Sequence, residues 1–232
     1  MAVRGHHTGH KARHDTTHDT KFDPAHDTTF DSEGPRAEAP TNTRSRILDA
    51  SERLVQVRGF NGFSYADVAA ELSLTKASLH YHFPSKAELG EALITRYTDR
   101  FAQALVAIDA HVKLAPAKLD AYASLYAEVL RQKRMCLCGM LAAEYQTLPE
   151  PIRDAVIAFL DDNEAWLALV LEQGREAGSL RFSNTPADTA RSIVSGLEGA
   201  MLVARPYGAP ERFETAAAQL LGSLAGTDIA IS

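Results

Sequence analysis

The stretch Leu74-Thr75-Lys76-Ala77-Ser78-Leu79-His80-Tyr81-His82-Phe83-Pro84-Ser85-Lys86 decides how this chain folds. A threonine precedes a short run in which Leu79 and Phe83 stand four residues apart, and Pro84-Ser85 ends that run and opens another. A threonine hydroxyl can accept a hydrogen bond from a free N–H of a helix's first turn, and proline cannot continue a helix interior. The spacing therefore predicts a short helix from Thr75 to about His82, with Leu79 and Phe83 on its buried side. Lys76, Ser78, His80, Tyr81 and His82 are left as donors pointing in several directions around it.

Working upstream, Ile47, Leu48, Ser51, Leu54 and Val55 fall on one helical face that stops at Gly59, which predicts a first helix from about Thr43. Phe60 and Phe63 sit in a loop, and Ser64 stands where an N-cap belongs, with Asp67 adding negative charge to the first turn. A second helix then runs from about Tyr65 to Leu72, with Ser73 and Leu74 as the turn. Downstream, Ser85 opens a long helix to about Ala110. Further helical patterns cover about 117–134, 138–147, 149–177, 186–205 and 209–225, punctuated by Gly178, Pro186, Pro206 and Pro210. Pro149 and Pro151 suit a helix's first turn, where a missing N–H costs little. No segment alternates as a strand would, so the expected fold is all-α.

Two short helices joined by a tight turn and packed on a third make a helix-turn-helix, whose second helix enters the DNA major groove. The order and spacing of Gly59-Phe60, Phe63-Ser64-Tyr65-Ala66-Asp67-Val68-Ala69 and Leu79-His80-Tyr81-His82-Phe83-Pro84-Ser85-Lys86-Ala87-Glu88-Leu89 resemble the N-terminal domain of TetR-type transcriptional regulators. Ser73 and Ala77 stand where that family often carries glycine. The resemblance implies an N-terminal three-helix DNA-binding domain over 43–90 and a C-terminal helical ligand-binding and dimerisation domain over 91–227. The candidate DNA contacts are Ser64, Thr75, Lys76, Ser78, His80, Tyr81, His82 and Lys86. Among these, Lys76, Tyr81, His82 and Lys86 suit phosphates, and Thr75, Ser78 and His80 suit base edges.

The whole-chain numbers are consistent with this division. With 232 residues, 45% of them hydrophobic, the chain can bury a sizeable core. The net charge of −6 excludes a general polycation, so nucleic acid must be met by a local patch. Basic and acidic residues are near balance over 43–100, whereas the remainder is acidic, which makes the N-terminal end the DNA-facing one. No apolar run is long enough to span a bilayer, and the first residues lack an apolar leader core, so a soluble, cytoplasmic protein with no membrane partner is expected. His6, His7, His10, His14, His18 and His26 crowd residues 1–42, which have few large apolar residues and read as a disordered, His-rich tail.

The second half supplies the partner and ligand candidates. Ser192, Gly196, Gly199 and Val203 form a stripe of mostly small residues that lets another helix approach, whether within the chain or from a second copy. The resemblance implies that the last two helices pair with their copies, giving a homodimer with two reading heads for a pseudo-palindromic operator. It also implies a cavity for a small-molecule effector, with Tyr122, Tyr126, Cys136, Cys138, Met140, Leu141, Glu144, Tyr145, Trp166 and Met201 as candidate walls. The expected activity is that of a ligand-responsive repressor with no cofactor, no bound metal and no catalytic residue.

Met135-Cys136-Leu137-Cys138-Gly139, preceded by Arg131, Lys133 and Arg134, leaves alternatives open. Nearby cations would lower a thiol pKa and make a redox or electrophile sensor, while apolar neighbours would bury the thiols and leave them inert. Two thiolates are too few for a closed zinc site. A cysteine-dependent enzyme would need a histidine base, and outside the tail only His80, His82 and His111 remain.

Overall fold

The computed structural model describes residues 40–225, with side chains from residue 43. The His-rich tail expected over 1–42 therefore lies almost wholly outside the described residues. Among the described residues the fold is all-α: α1 (Pro40–Arg58), α2 (Tyr65–Leu72), α3 (Lys76–His82), α4 (Lys86–His111), α5 (Ala115–Arg131), α6 (Leu137–Ala143), α7 (Glu150–Glu176), α8 (Pro186–Ala204) and α9 (Pro210–Gly222). Short 3-10 turns follow α6 and α8, and among the described residues the only strand-like pairing is an isolated bridge between Leu180 and Ala225.

Local chemistry places the first boundaries. Gly59 adopts φ +84, a region open to glycine because it has no Cβ, and ends α1. The Asp67 carboxylate accepts from both the backbone N–H and the hydroxyl of Ser64, fixing the start of α2. The Thr75 hydroxyl accepts from Ser78 N at 3.1 Å, and that of Ser85 from Glu88 N at 3.1 Å, so both predicted caps hold α3 and α4. Ser73 takes the left-handed conformation that closes α2, at φ 55.

Ile47, Val55, Phe60, Phe63, Val68, Leu79 and Phe83 form the interior of the three-helix unit, and Leu89 and Leu93 join α4 to it. Farther along, α4 packs against α5, α6 and α7, while α8 lies between α7 and α9. One 26-residue helix thus runs from the three-helix unit into the body of the C-terminal region.

Two expectations shift. The helix expected over 117–134 ends at Arg131, because Lys133 turns to φ 59 and Met135 N is directed to Gln56 O at 3.2 Å. The helix expected over 138–147 stops at Ala143 and tightens into a 3-10 turn at Tyr145–Thr147. Glu144, at that break, is drawn toward the end of α1.

Candidate DNA-binding surface and effector cavity

Residue Leu79 is fully buried and Phe83 nearly so, which turns the opposite side of α3 outward. Thr75, Lys76, Ala77, His80 and Tyr81 are exposed, Tyr81 to 82% of its surface, and Ser78 and His82 are half-buried. Several of these side chains are already oriented. The His80 ring rests on Tyr65 at 4.8 Å with Nδ1 3.2 Å from Pro84 O, and His82 lies edge-on to Tyr81 at 5.1 Å. The Tyr65 hydroxyl donates to Phe83 O at 2.8 Å, and burial, with Glu88 nearby, pushes its pKa up to about 12, so it remains a donor.

Lys86, expected to suit a phosphate, is also engaged within the fold. Its ammonium donates to Phe63 O at 2.6 Å and lies over the Phe60 and Phe63 rings at 4.8 and 4.4 Å. Desolvation lowers its pKa. It clamps the loop between α1 and α2 to the start of α4, with two ammonium N–H groups left over. Sequence reading missed Arg44, whose guanidinium lies over the Phe83 ring at 4.8 Å and adds a cation beside α3. Its position at the head of α1 carries no local motif that could have revealed it.

The C-terminal region holds a cavity of about 160 Å³ between α4, α5 and α8, lined by Tyr97, Arg100, Phe101, Leu125, Tyr126, Val129, Cys136 and Met201 among others. Of the expected walls, Tyr126, Cys136 and Met201 line it. Tyr122 stands just behind, bonded to the Tyr126 hydroxyl at 2.9 Å and to Asn163 Oδ1 at 3.1 Å, and stacked on Trp166 at 5.7 Å. Trp166 spends its N–H on Asp109. Leu141 and Cys138 are buried in the core, and Met140 faces a second cavity between α6, α7 and α8. The i, i+4 pair Tyr97 and Phe101 was a readable signal for the first cavity that the sequence reading passed over.

Glu144 and Tyr145 line neither cavity. The Glu144 carboxylate accepts from Phe60 N at 2.6 Å and Asn61 N at 3.1 Å, and Asn61 Nδ2 donates to Thr147 Oγ1 at 2.7 Å. Tyr145 lies under Arg153. Four more ties join the same end of the molecule. Arg96 and Arg100 of α4 grip Glu52 of α1 at 2.8 and 2.5 Å, Arg134 reaches Gln56 Oε1 at 3.4 Å, and Arg205 donates to Val57 O. The C-terminal half of α1 is thus held from α4, from the segment leading into α6, and from the end of α8.

Both cysteines are free and buried. Burial raises both thiol pKa values, with Glu198 adding to the effect, and the Tyr97 hydroxyl donates to Cys136 Sγ at 3.5 Å. The basic run expected to activate them is directed elsewhere: Arg131 pairs with Glu128 and Glu214, and Arg134 with Gln132 and Gln56.

The small-residue stripe on α8 divides. A Cβ on Gly196 would meet Leu220 Cδ2 at 2.7 Å, so Gly196 serves the contact with α9, whereas a Cβ on Gly199 meets nothing within 4 Å. Leu202 and Val203 are 62% and 65% exposed, and Ser192 is exposed with its hydroxyl donating to Asp188 O.

Comparison with known proteins agrees with this architecture. Residues 47–93 match the profile described as bacterial regulatory proteins of the tetR family, and residues 115–220 the tetracyclin repressor-like C-terminal domain. A TetR transcriptional regulator of known structure from Legionella pneumophila is 34% identical, with 79% of this chain and 97% of that one covered, at a TM-score of 0.72. This chain belongs to the TetR family. A family member from Agrobacterium tumefaciens superimposes at a TM-score of 0.78 with 28% identity, covering 81% of this chain and all of that one. The transcriptional regulator AcuR of Cereibacter sphaeroides is 28% identical over 166 residues, 70% of this chain and 75% of the relative. The chain is accordingly a TetR-family transcriptional regulator with a helix-turn-helix DNA-binding domain, and its relatives are regulators rather than enzymes. No helix among the described residues is long and apolar enough to cross a membrane.

Proposed function

We propose that this regulator is a repressor that binds a pseudo-palindromic operator as a homodimer and releases it when a small molecule occupies the C-terminal region. The observation that carries this reading is the set of ties from Glu144, Arg96, Arg100 and Arg205 to the end of α1, because Arg100 also lines the aromatic cavity. A ligand there contacts a side chain that holds the DNA-reading unit in place. In this reading Lys76, Tyr81, His82 and Arg44 meet phosphates, Thr75, Ser78 and His80 approach base edges, Ser64 supports the head of α2, and Lys86 adds its two spare N–H groups. The homodimer forms through the outer faces of α8 and α9, where Gly199, Leu202 and Val203 are open to a partner. With its cysteines enclosed, the protein is better suited to reversible ligand binding than to thiol sensing.

The test is operator binding by fluorescence anisotropy, using the intergenic DNA beside the protein's own gene. Lys76→Ala should weaken all DNA sequences similarly and reduce the slope of log affinity against log salt by about 1, as expected for one lost phosphate contact. Unchanged affinity and salt slope in Lys76→Ala combined with Tyr81→Ala would refute the assignment of α3.

A further inference from the structure

We infer that the space between α6, α7 and α8, with Glu198 at its base, is a binding site for a compact apolar cation such as a hydrophobic amine or quaternary ammonium. This names a ligand class for the effector-responsive reading above and rests on that reading only for its consequence at DNA. The cavity measures about 350 Å³, at the small end of the usual range for ligand sites. Met135, Met140, Leu160, Val194 and Leu202 supply its apolar wall, its two charged residues are the carboxylates of Glu164 and Glu198, and no lysine, arginine or histidine lines it.

Glu198 is the decisive group. Its Oε1 is enclosed and has no hydrogen-bond partner, and the carboxylate's one side-chain hydrogen-bond partner is the neutral Cys136 thiol. Its other oxygen occupies room that only a glycine at 139 leaves free, since a Cβ there would come within 2.2 Å of it. The titratable groups that face it are the Cys136 and Cys138 thiols from the α6 segment, Tyr97 from α4, and Tyr122 and Tyr126 from α5. All are neutral acids at physiological pH, so none supplies a countercharge. The nearby cations do not pair with Glu198: Arg191 lies 3.4 Å from the other wall carboxylate, Glu164, which it neutralises, and Arg205 is directed to Met140 Sδ and Val57 O. A buried polar atom is ordinarily hydrogen-bonded, and an enclosed carboxylate without a countercharge is costly. A protonated amine donating an N–H to Oε1 supplies both missing interactions and a quaternary ammonium resting against it supplies the countercharge, while the apolar portion meets the methionine and leucine wall. Gly199 and Leu202 line this cavity, are exposed and lie on the face proposed to meet a second copy, so pairing would cover that side of the occupant.

The experiment is titration calorimetry on the full chain with benzyltrimethylammonium, its uncharged carbon isostere neopentylbenzene, and phenylacetate as an anion. The expected result is binding of the cation at least about tenfold tighter than of either control, tightening as the pH is raised and Glu198 ionises. Glu198→Gln, close to isosteric, should lose about tenfold in cation affinity and all of its pH dependence. Because the comparison of cation with isostere is made on the wild type, it stands even if the variant folds poorly. Equal affinity for cation and isostere, no cation binding, or cation binding that Glu198→Gln leaves intact would overturn the inference. Operator anisotropy with the cation present separates the two readings. Cation binding through Glu198 without a change at the operator supports the site and refutes its role in release. Operator release by the cation that persists in Glu198→Gln refutes the site.

Discussion

Replacing Glu144 by alanine should loosen the joint between the DNA-reading unit and the rest of the protein, and the size of the effect follows from the two hydrogen bonds it makes. A hydrogen bond to a charged group contributes about 1.5–3 kcal/mol, and an exposed one much less because water replaces it. Phe60 is 4% exposed, so its N–H, now 2.6 Å from Glu144 Oε2, would lose its acceptor without rehydrating well. Asn61 is exposed, and its N–H can turn to solvent. The expected cost is about 2–3 kcal/mol, which for a chain of this length lowers Tm by about 5–10 °C. Glu144→Gln keeps one oxygen acceptor without the charge and should cost about half as much. Gly59 makes the reasoning sharper, since a Cβ there would lie 2.5 Å from Glu144 Oε1. Gly59→Ala should therefore be markedly non-additive with Glu144→Ala. In the double variant the clash is gone, so Gly59→Ala adds only the roughly 1 kcal/mol cost of the left-handed backbone to the loss already caused by Glu144→Ala. Thermal and urea unfolding of the four proteins measure this cycle. A Tm change under about 2 °C in Glu144→Ala would show that water substitutes for the carboxylate and that the joint is held elsewhere.

Three other outcomes are expected. Ser73→Gly should stabilise the protein by about 0.5–1 kcal/mol in urea unfolding, because serine at φ 55 carries a steric cost that glycine lacks. Gly199→Trp should give monomers by sedimentation with the fold intact by circular dichroism, whereas Gly196→Trp should damage folding itself, since its Cβ direction leads into Leu220. Glu198 carries a pKa raised by burial, so the folded state holds its proton longer than the unfolded chain. Its contribution to stability is full below the ordinary carboxylate pKa and is lost as pH rises through the elevated one. Glu198→Gln should accordingly be more stable than wild type at neutral pH and lose that advantage in acid, as read by melting curves across pH.

The helix-turn-helix was legible because its determinants are local. Gly59, Ser64, Thr75 and Ser85 each fix a boundary through atoms no more than four residues away, so spacing alone places α2 and α3. The end of α6 was not legible in this way. Ala142-Ala143-Glu144 reads as continuing helix, but the Glu144 side chain satisfies two N–H groups more than eighty positions earlier in the chain. The same limit hid the second cavity. Glu198 is one carboxylate in the run from Ile193 to Val203, and its significance depends on Gly139 and Cys136 being brought against it. Lys86 was recognised as important, but its two aromatic partners lie in a loop whose fold over the ammonium only the packing decides.

The length of α4 sets a mechanical scale. Its 26 residues form a rod of about 39 Å, at about 1.5 Å per residue, beginning directly after the recognition helix. Pivoted at its His111 end, such a rod converts a tilt of about 5° into a displacement of about 3 Å at Lys86, close to the rise between successive base pairs. A movement that barely disturbs packing around the far end is therefore magnified into a misalignment of about one base step. In the proposed homodimer, with two half-sites to be read at once, that small angle would separate being in phase with the double helix from being out of phase.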